Sequence, residues 1–486
     1  MINCPADRID LVSLWFSAID LVPTGKLYWT VTLSMNSFLT QHQPPSAAQP
    51  SSTFRLDWLC WTALALTLIL RVGWMVLKPE SLAIDRDAYL LLAQNLVHGE
   101  GFCGPGGVPT AFRPPLFPLL LAPLLWLANV TWAVAILQLS LSLVLTWATI
   151  RTTQLLTIDR ASGEDTRDGW HAAGGWAGMI VAIDPLLLLY STQPMTEILA
   201  ATLIMLLSLQ LAQALIHPAS LTLSRLMLAG LMAGCAPLAR PALLLLLPWF
   251  LIGMGWIGSQ HAPHRSPRLF LRIVMILAGF ALIAPGIWMT RNQLVMGEPI
   301  VTTTHGGYTL WLANNPVIQE LEEIKGTSIW PDEKFREWEA RNREKLDGLS
   351  EVEQDKLQQG WAWQTIRRNP EAFTRSALLR MAFFWSPVPQ SMFQNRVPWG
   401  LMELLFFSYG LFAMMACLGT IELLRSHRVF GVWLVGTVCL VMLPHVFYFS
   451  NARMRAPIEP LLAIPAAIYL VKLLQPLIRR THIPED

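Results

Sequence analysis

An all-α polytopic membrane protein is the fold class this sequence predicts, and three observations carry it. Hydrophobic residues fill 53% of the 486 positions and charged residues only 14%, where a soluble domain carries about 25% charged residues. The mean hydropathy is +0.43. Apolar windows long enough to cross ~30 Å of hydrocarbon recur from one end of the chain to the other. This excludes a water-soluble enzyme, a secreted disulfide scaffold and a nucleic-acid binder; Lys+Arg 35 against Asp+Glu 33 leaves a net charge of +2, which names no polyanionic partner.

The segment 1–57 reads as a leader. Asp7, Asp10, Asp20 and Lys26 interrupt its apolar residues, and 41–53 is rich in Gln, Pro and Ser, unlike a signal peptide. Met35 opens a polar stretch that runs into the first span, so the working start is expected there. Spans are predicted at 58–77, 131–150, 172–190, 195–216, 225–239, 241–257, 269–289, 399–424, 429–449 and 456–476, with 225–239 and 241–257 short enough to be one broken unit. They form a single unit over 58–476, followed by a tail, 477–486.

Orientation follows from basic residues in short connections. Arg265, Arg268 and Arg272, then Arg425 and Arg428, then Lys472, Arg479 and Arg480 place both termini in the cytoplasm. Two long connections, 78–130 and 290–398, then lie outside. The second carries amphipathic helical spacing through Phe335, Trp338, Leu346, Leu357, Trp361 and Ile366, the pattern of a solvated helical cap. Trp58, Trp74, Trp126, Trp288 and Trp399 stand at span ends, as an interfacial belt requires. The six cysteines show no metal-ligand spacing.

The first outer connection holds the densest chemistry. Asp85 and Asp87 stand at the head of a short amphipathic helix through Tyr89, Leu92, Ala93 and Leu96; Gly99, Gly101 and Gly107 follow, and Arg113 precedes Pro114-Pro115. Either carboxylate could simply cap that helix. Further on, Glu197 opens a span and could interact with its dipole or act in a site. Asp184 falls inside a span, about two turns deep, and must face the bundle interior. Gly230 and Gly234 give a small-residue face suited to close packing. Arg240-Pro241 breaks the chain. Arg291-Asn292, Thr304-His305-Gly306-Gly307-Tyr308 and Trp311 to Asn314-Asn315-Pro316 form a glycine turn flanked by hydroxyls, amides and aromatics, the chemistry of a sugar site. Arg453 and Arg455 fall on the outer side against the topological trend, where guanidinium suits phosphate.

Asp85-x-x-x-Tyr89 after the first span, Ala93, the glycine stretch and Arg113-Pro114-Pro115-Leu116 resemble the first outer loop of the C-class membrane glycosyltransferases, nearest the protein O-mannosyltransferases and the lipid A aminoarabinose transferases. Leu238-Ala239-Arg240-Pro241, Arg291 through Pro316, and Arg453-Met454-Arg455-Ala456-Pro457 resemble later segments of the same superfamily, so the likeness spans most of 83–460. It implies a helical bundle of the same class with about ten to twelve transmembrane helices, outer amphipathic helices and a mostly helical outer loop. It also implies an integral (cell or inner) membrane enzyme with an extracytoplasmic site that moves a sugar, with inversion, from a polyprenyl-phosphate donor to a lipid, protein or glycan acceptor.

In that resemblance Asp85 matches the catalytic acidic residue, but Arg86 follows where the family often has a second acid, and Asp87 comes next; which of the two acts stays open. Glu197 matches a supporting carboxylate. Tyr89, Arg113, Arg291, Tyr308, Asn314, Asn315, Arg453 and Arg455 are candidates for binding substrate or phosphate, with Arg240 behind them. An Asp-x-Asp pair can hold a divalent ion, which makes Asp85, Asp87 and His305 the candidate metal ligands. Two competing functions share several of these residues: a transporter or flippase of a lipid-linked sugar, with Asp184 in its path, and a polymerase or ligase of surface polysaccharide.

Overall fold

The computed structural model describes residues 57–157, 167–260, 266–325, 333–387 and 398–480, all within the unit Thr53–Asp486. The leader through residue 56 with Met35, Arg265, and the tail beyond residue 480 lie outside the described residues. Those described form an all-α polytopic membrane protein, in which eight helices are long and apolar enough to cross a membrane.

In chain order the helices are α1 Trp58–Leu77, α2 Tyr89–Val97, α3 Leu116–Leu127, α4 Val130–Thr157, α5 Arg167–Ile183, α6 Pro185–Tyr190, α7 Glu197–Ile216, α8 Leu223–Ala239, α9 Leu246–Gln260 and α10 Pro267–Ala281. They continue as α11 Ile283–Met296, α12 Gly306–Ala313, α13 Pro316–Lys325, α14 Glu333–Arg343, α15 Glu351–Arg368, α16 Pro370–Phe384, α17 Trp399–Ser426, α18 Arg428–Met442 and α19 Glu459–Arg480.

Eight of the ten expected spans coincide with helices long and apolar enough to cross a membrane, and three differences stand out. The segment 172–190 is two helices, α5 and α6, because Asp184 stops the first and caps the second, its carboxylate accepting from Leu187 N at 2.8 Å. Residues 223–239 form an apolar helix of 17 residues, shorter than the about 20 a perpendicular crossing needs. The connection 78–130 is less polar than expected: α3 is wholly apolar, and it packs on α2 and α4.

Close helix approach is set by small residues. Gly230 and Gly234 of α8 press on the backbone of α10; a Cβ on Gly230 would sit 2.6 Å from Leu277 O, and one on Gly234 would overlap Ala281 O. The main apolar core joins α1, α4, α5, α7, α8, α9, α18 and α19, with Phe250, Phe384 and Phe430 fully buried. The amphipathic spacing of the long second connection builds a separate small core, where Phe335 is buried beside Leu310, Trp311 and Ala362, and Trp338 and Trp361 pack around them. Trp58, Trp126 and Trp399 are exposed at helix ends, as a belt requires, and Trp74 less so. Trp288 departs from it: its indole is buried, bonds Thr302 O at 2.8 Å and meets Phe102 edge-on.

Candidate functional site

Five charged side chains from distant parts of the chain meet at the helix ends. Asp87 lies in the turn before α2, Arg113 two residues before the proline that opens α3, Glu197 at the first position of α7, Arg240 at the end of α8, and Arg453 in the 3-10 turn Ala452–Ile458 that feeds α19. Local sequence explains much of this. Arg113 and Arg240 each precede proline, which disfavours the α conformation at the residue before it, and Arg240 is extended at φ −154, ψ 119. Arg453 is seated by Asn451, whose side chain accepts from the Arg453 N–H at 2.9 Å.

The cluster is continuous. Arg113 Nη2 reaches Asp87 Oδ1 at 3.1 Å and Arg453 Nη2 reaches Asp87 Oδ2 at 2.7 Å. Arg453 Nε bonds Glu197 Oε1, which also accepts from Arg240 Nη1 at 3.2 Å. Glu197 is fully buried, whereas the side chains of Asp87, Arg113 and Arg453 keep 17%, 20% and 23% exposure, so the Asp87 side of the cluster opens outward. Burial works to raise the Asp87 pKa, but the guanidiniums of Arg453 and Arg113 outweigh it and hold the carboxyl below its usual range. Two buried atoms, Arg113 Nε and Glu197 Oε2, have no hydrogen-bond partner among the described residues.

Aromatic rings wall one side. Arg113 lies over the Phe112 ring at 5.3 Å and over Tyr89 at 5.9 Å; Arg453 lies over Tyr190 at 5.7 Å. His305 stands edge-on to Phe112 at 4.4 Å, beside Tyr308, and its Nε2 is 3.4 Å from Arg113 Nη1. Burial and then the Arg113 charge push the imidazole pKa down to about 3, so the ring is neutral at physiological pH. Burial raises the phenols of Tyr89 and Tyr308 to about 12. Tyr308 Oη reaches Glu339 at 3.3 Å.

The backbone beside the carboxylate is strained. Ala88, between Asp87 and Tyr89, has φ 60 and ψ 17, the left-handed region that residues with a Cβ seldom enter. The same turn decides between the two aspartates. Asp85 bends back to accept from Leu91 N at 2.9 Å, so it caps α2, while Asp87 enters the cluster. The acidic residue that matched by sequence likeness is thus outside the arginine contacts.

Other candidates are spent on the fold. Arg291 donates to Thr110 O at 2.8 Å and Phe102 O at 2.7 Å, so it ties down the first connection. Asn314 Nδ2 donates to Leu310 O and Phe447 O, and its Oδ1 accepts from Arg380. Asn315 Oδ1 caps α13 through Ile318 N at 2.9 Å. Arg455 is fully buried, ion-paired with Glu459 and bonded to Phe384 O at 2.7 Å and Ser386 O at 3.0 Å. Gly306-Gly307 is no open turn: it begins α12, with Gly307 N donating to Asp355 Oδ1 at 2.6 Å, and a Cβ on Gly307 would run into the Asp355 carbonyl oxygen.

A divalent ion does not fit the candidate ligands. Both Asp87 oxygens face guanidiniums, Asp85 Oδ2 faces a backbone N–H, and His305 Nε2 faces Arg113. Among the described residues no group of three or more His, Cys, Asp or Glu is placed to share a metal.

Sequence reasoning missed Glu351. Its carboxylate accepts from Thr110 Oγ1 at 2.5 Å, from Ala111 N at 2.9 Å and from Thr304 Oγ1, joining the segments that carry Arg113 and His305. Nothing local marks it, since it sits in an ordinary acidic first helical turn. Arg71 was also missed, although a cation within an apolar window is a visible signal; it bonds Ala182 O at 3.0 Å and Val181 O at 3.3 Å. The chain matches no protein-family model and no curated protein.

Proposed function

We propose that this membrane protein is a glycosyltransferase, and that it moves a sugar from a polyprenyl-phosphate carrier to an acceptor hydroxyl or amine on the extracytoplasmic side, with inversion. The observation that carries the reading is the Asp87 carboxylate held between Arg113 and Arg453, beside the aromatic wall of Phe112, His305 and Tyr308. A sugar ring presents an apolar face to such rings, and guanidinium is the side chain best suited to phosphate.

The chemistry needs only these groups. Asp87 takes the proton of the acceptor as it attacks the anomeric carbon. The bond from that carbon to the phosphate oxygen breaks with its electron pair left on the phosphate, so the phosphodiester monoanion departs as a monoester dianion. Arg113 and Arg453 stabilise the charge that develops. Phosphate is already a good leaving group, so no acid is required. Glu197 acts behind Arg453 by holding its guanidinium in place, and Arg240 in turn holds Glu197.

The test is transfer by purified protein in nanodiscs, with a radiolabelled lipid-linked monosaccharide and a crude envelope fraction as acceptor. Label moving to the acceptor supports the reading. The buried charges Arg71, Arg455 and Glu459 and the half-buried Asp184 favour one competitor, a flippase of the same lipid; carrier movement across vesicles with no transfer would select it. Transfer of a whole glycan in place of one sugar would select a polymerase or ligase.

A further inference from the structure

Asp87 occupies the place a phosphate would take. Its two oxygens each meet a different guanidinium, as two oxygens of a bridging phosphate do. This is a poor resting position for a base, because each oxygen is held by a cation that stabilises the charged carboxylate against taking up a proton. On the glycosyl-transfer reading above, we propose that the phosphate of the lipid-linked donor displaces the Asp87 carboxylate from between Arg113 and Arg453, so that donor binding itself unmasks the base.

Four features of the cluster support the exchange. The clamp survives it: Arg453 stays bonded through Nε to Glu197 when its Nη2 lets go of Asp87, and Glu197 is itself held by Arg240. The clamp has a spare donor, the buried and unpartnered Arg113 Nε, which an anion with three or four oxygens can satisfy and a carboxylate already using both oxygens does not. The hinge is strained, since Ala88 next to Asp87 sits at φ 60, and movement of Asp87 gives this residue a way to relax. The charge also balances. Three guanidiniums face two carboxylates in the hydrogen-bonded cluster, leaving one positive charge, the complement of a phosphodiester monoanion. Transfer converts that group to a dianion, and the acceptor proton arriving on Asp87 removes one negative charge from the site at the same step, so site and bound phosphate stay matched.

The experiment measures binding of a short-chain prenyl monophosphate and, separately, of inorganic phosphate to the full chain in nanodiscs. Asp87→Asn is expected to bind the prenyl phosphate about tenfold more tightly than the wild type, because a competing anion is gone, and Arg113→Gln about tenfold more weakly. In the wild type, saturating prenyl phosphate is expected to expose Asp87 to a water-soluble carbodiimide, read by mass spectrometry of the modified peptide; this arm does not depend on any variant folding. Unchanged or weaker binding by a folded Asp87→Asn protein, or carbodiimide labelling that the ligand leaves unchanged, overturns the displacement. Inorganic phosphate binding as tightly as the prenyl ester overturns the lipid source. If Asp87→Asn abolishes transfer without tightening binding, displacement fails while the transferase reading stands. If it tightens binding and no lipid-linked sugar is ever transferred, the clamp stands as an anion site and the transferase reading fails.

Discussion

Arg453 and Arg455 stand two residues apart in one turn, yet they belong to different kinds of environment. Arg453 bonds two carboxylates, Asp87 and Glu197, and keeps 23% of its side chain exposed. Arg455 bonds Glu459 and the carbonyls of Phe384 and Ser386, lies 4.1 Å over the Tyr409 ring and is fully buried. An arginine whose donors end on backbone carbonyls is fixing chain segments. One with a donor on a carboxylate that is itself partly exposed, as Asp87 is, can exchange that partner for a ligand's oxygens. The partner type, more than the charge or the motif, separates the two roles.

Four tests, using six substitutions, probe this contrast and the site around it, beginning with the largest expected effect. Asp87→Asn should lower transfer by about a hundred- to ten-thousand-fold, the usual range for a general base, while Asp85→Ala should leave transfer within about threefold and cost about 1 kcal/mol for the lost helix cap. A steady-state transfer assay beside thermal unfolding separates them, and equal losses at the two positions would break the distinction. Arg455→Ala should destabilise the fold by about 3–5 kcal/mol, because Glu459 is left buried with its charge uncompensated. Arg453→Gln should cost activity far more than stability. Similar melting shifts for both would show that the two arginines do the same work.

The third test concerns pH. The imidazole of His305 is held neutral, with its pKa lowered to about 3 in the folded protein against about 6.5 in the unfolded chain. Between those values the unfolded state binds the additional proton, so stability is full above about pH 6.5 and declines as the pH falls toward 3. Asp87, also depressed, adds to the loss below about pH 4. His305→Gln should flatten the slope between pH 4 and 6.5, measured by unfolding across that range; an unaltered slope would assign it to other groups. The smallest effect is expected from Ala88→Gly, which removes the left-handed strain and should raise stability by about 1 kcal/mol, visible as a higher melting temperature.

The bundle was legible in the sequence because span length and charge scarcity are properties of local windows. Trp58–Leu77, Glu197–Ile216 and Trp399–Ser426 fall where windows free or nearly free of charge place them. The break at Asp184 was half legible: a carboxylate in a span announces an interior position, but not that it will cap a new helix. The site was legible in its residue types and not in their partners. Arg113, Glu197 and Arg453 stand out by position, yet whether Asp85 or Asp87 meets them depends on the left-handed turn at Ala88, which no pattern at that position signals. Asn314, Asn315 and Arg291 have the side chains of a binding site, but the demand of nearby backbone groups took them. Glu351 went unseen because its partners, Thr110 and Thr304, lie 241 and 47 residues away.

The longest of these pairings has a consequence in time. Asp87 and Arg453 are 366 residues apart, and at about 5–20 residues per second of synthesis roughly 20–70 s separate their emergence. Through that interval Asp87 can hold Arg113 but not its second guanidinium, and Glu197 can hold only Arg240. The site therefore stays incomplete until only α19 remains to be made. A polypeptide truncated just before the turn at Ala452 would carry every α-helix of the described residues but α19 and still have an unfinished clamp.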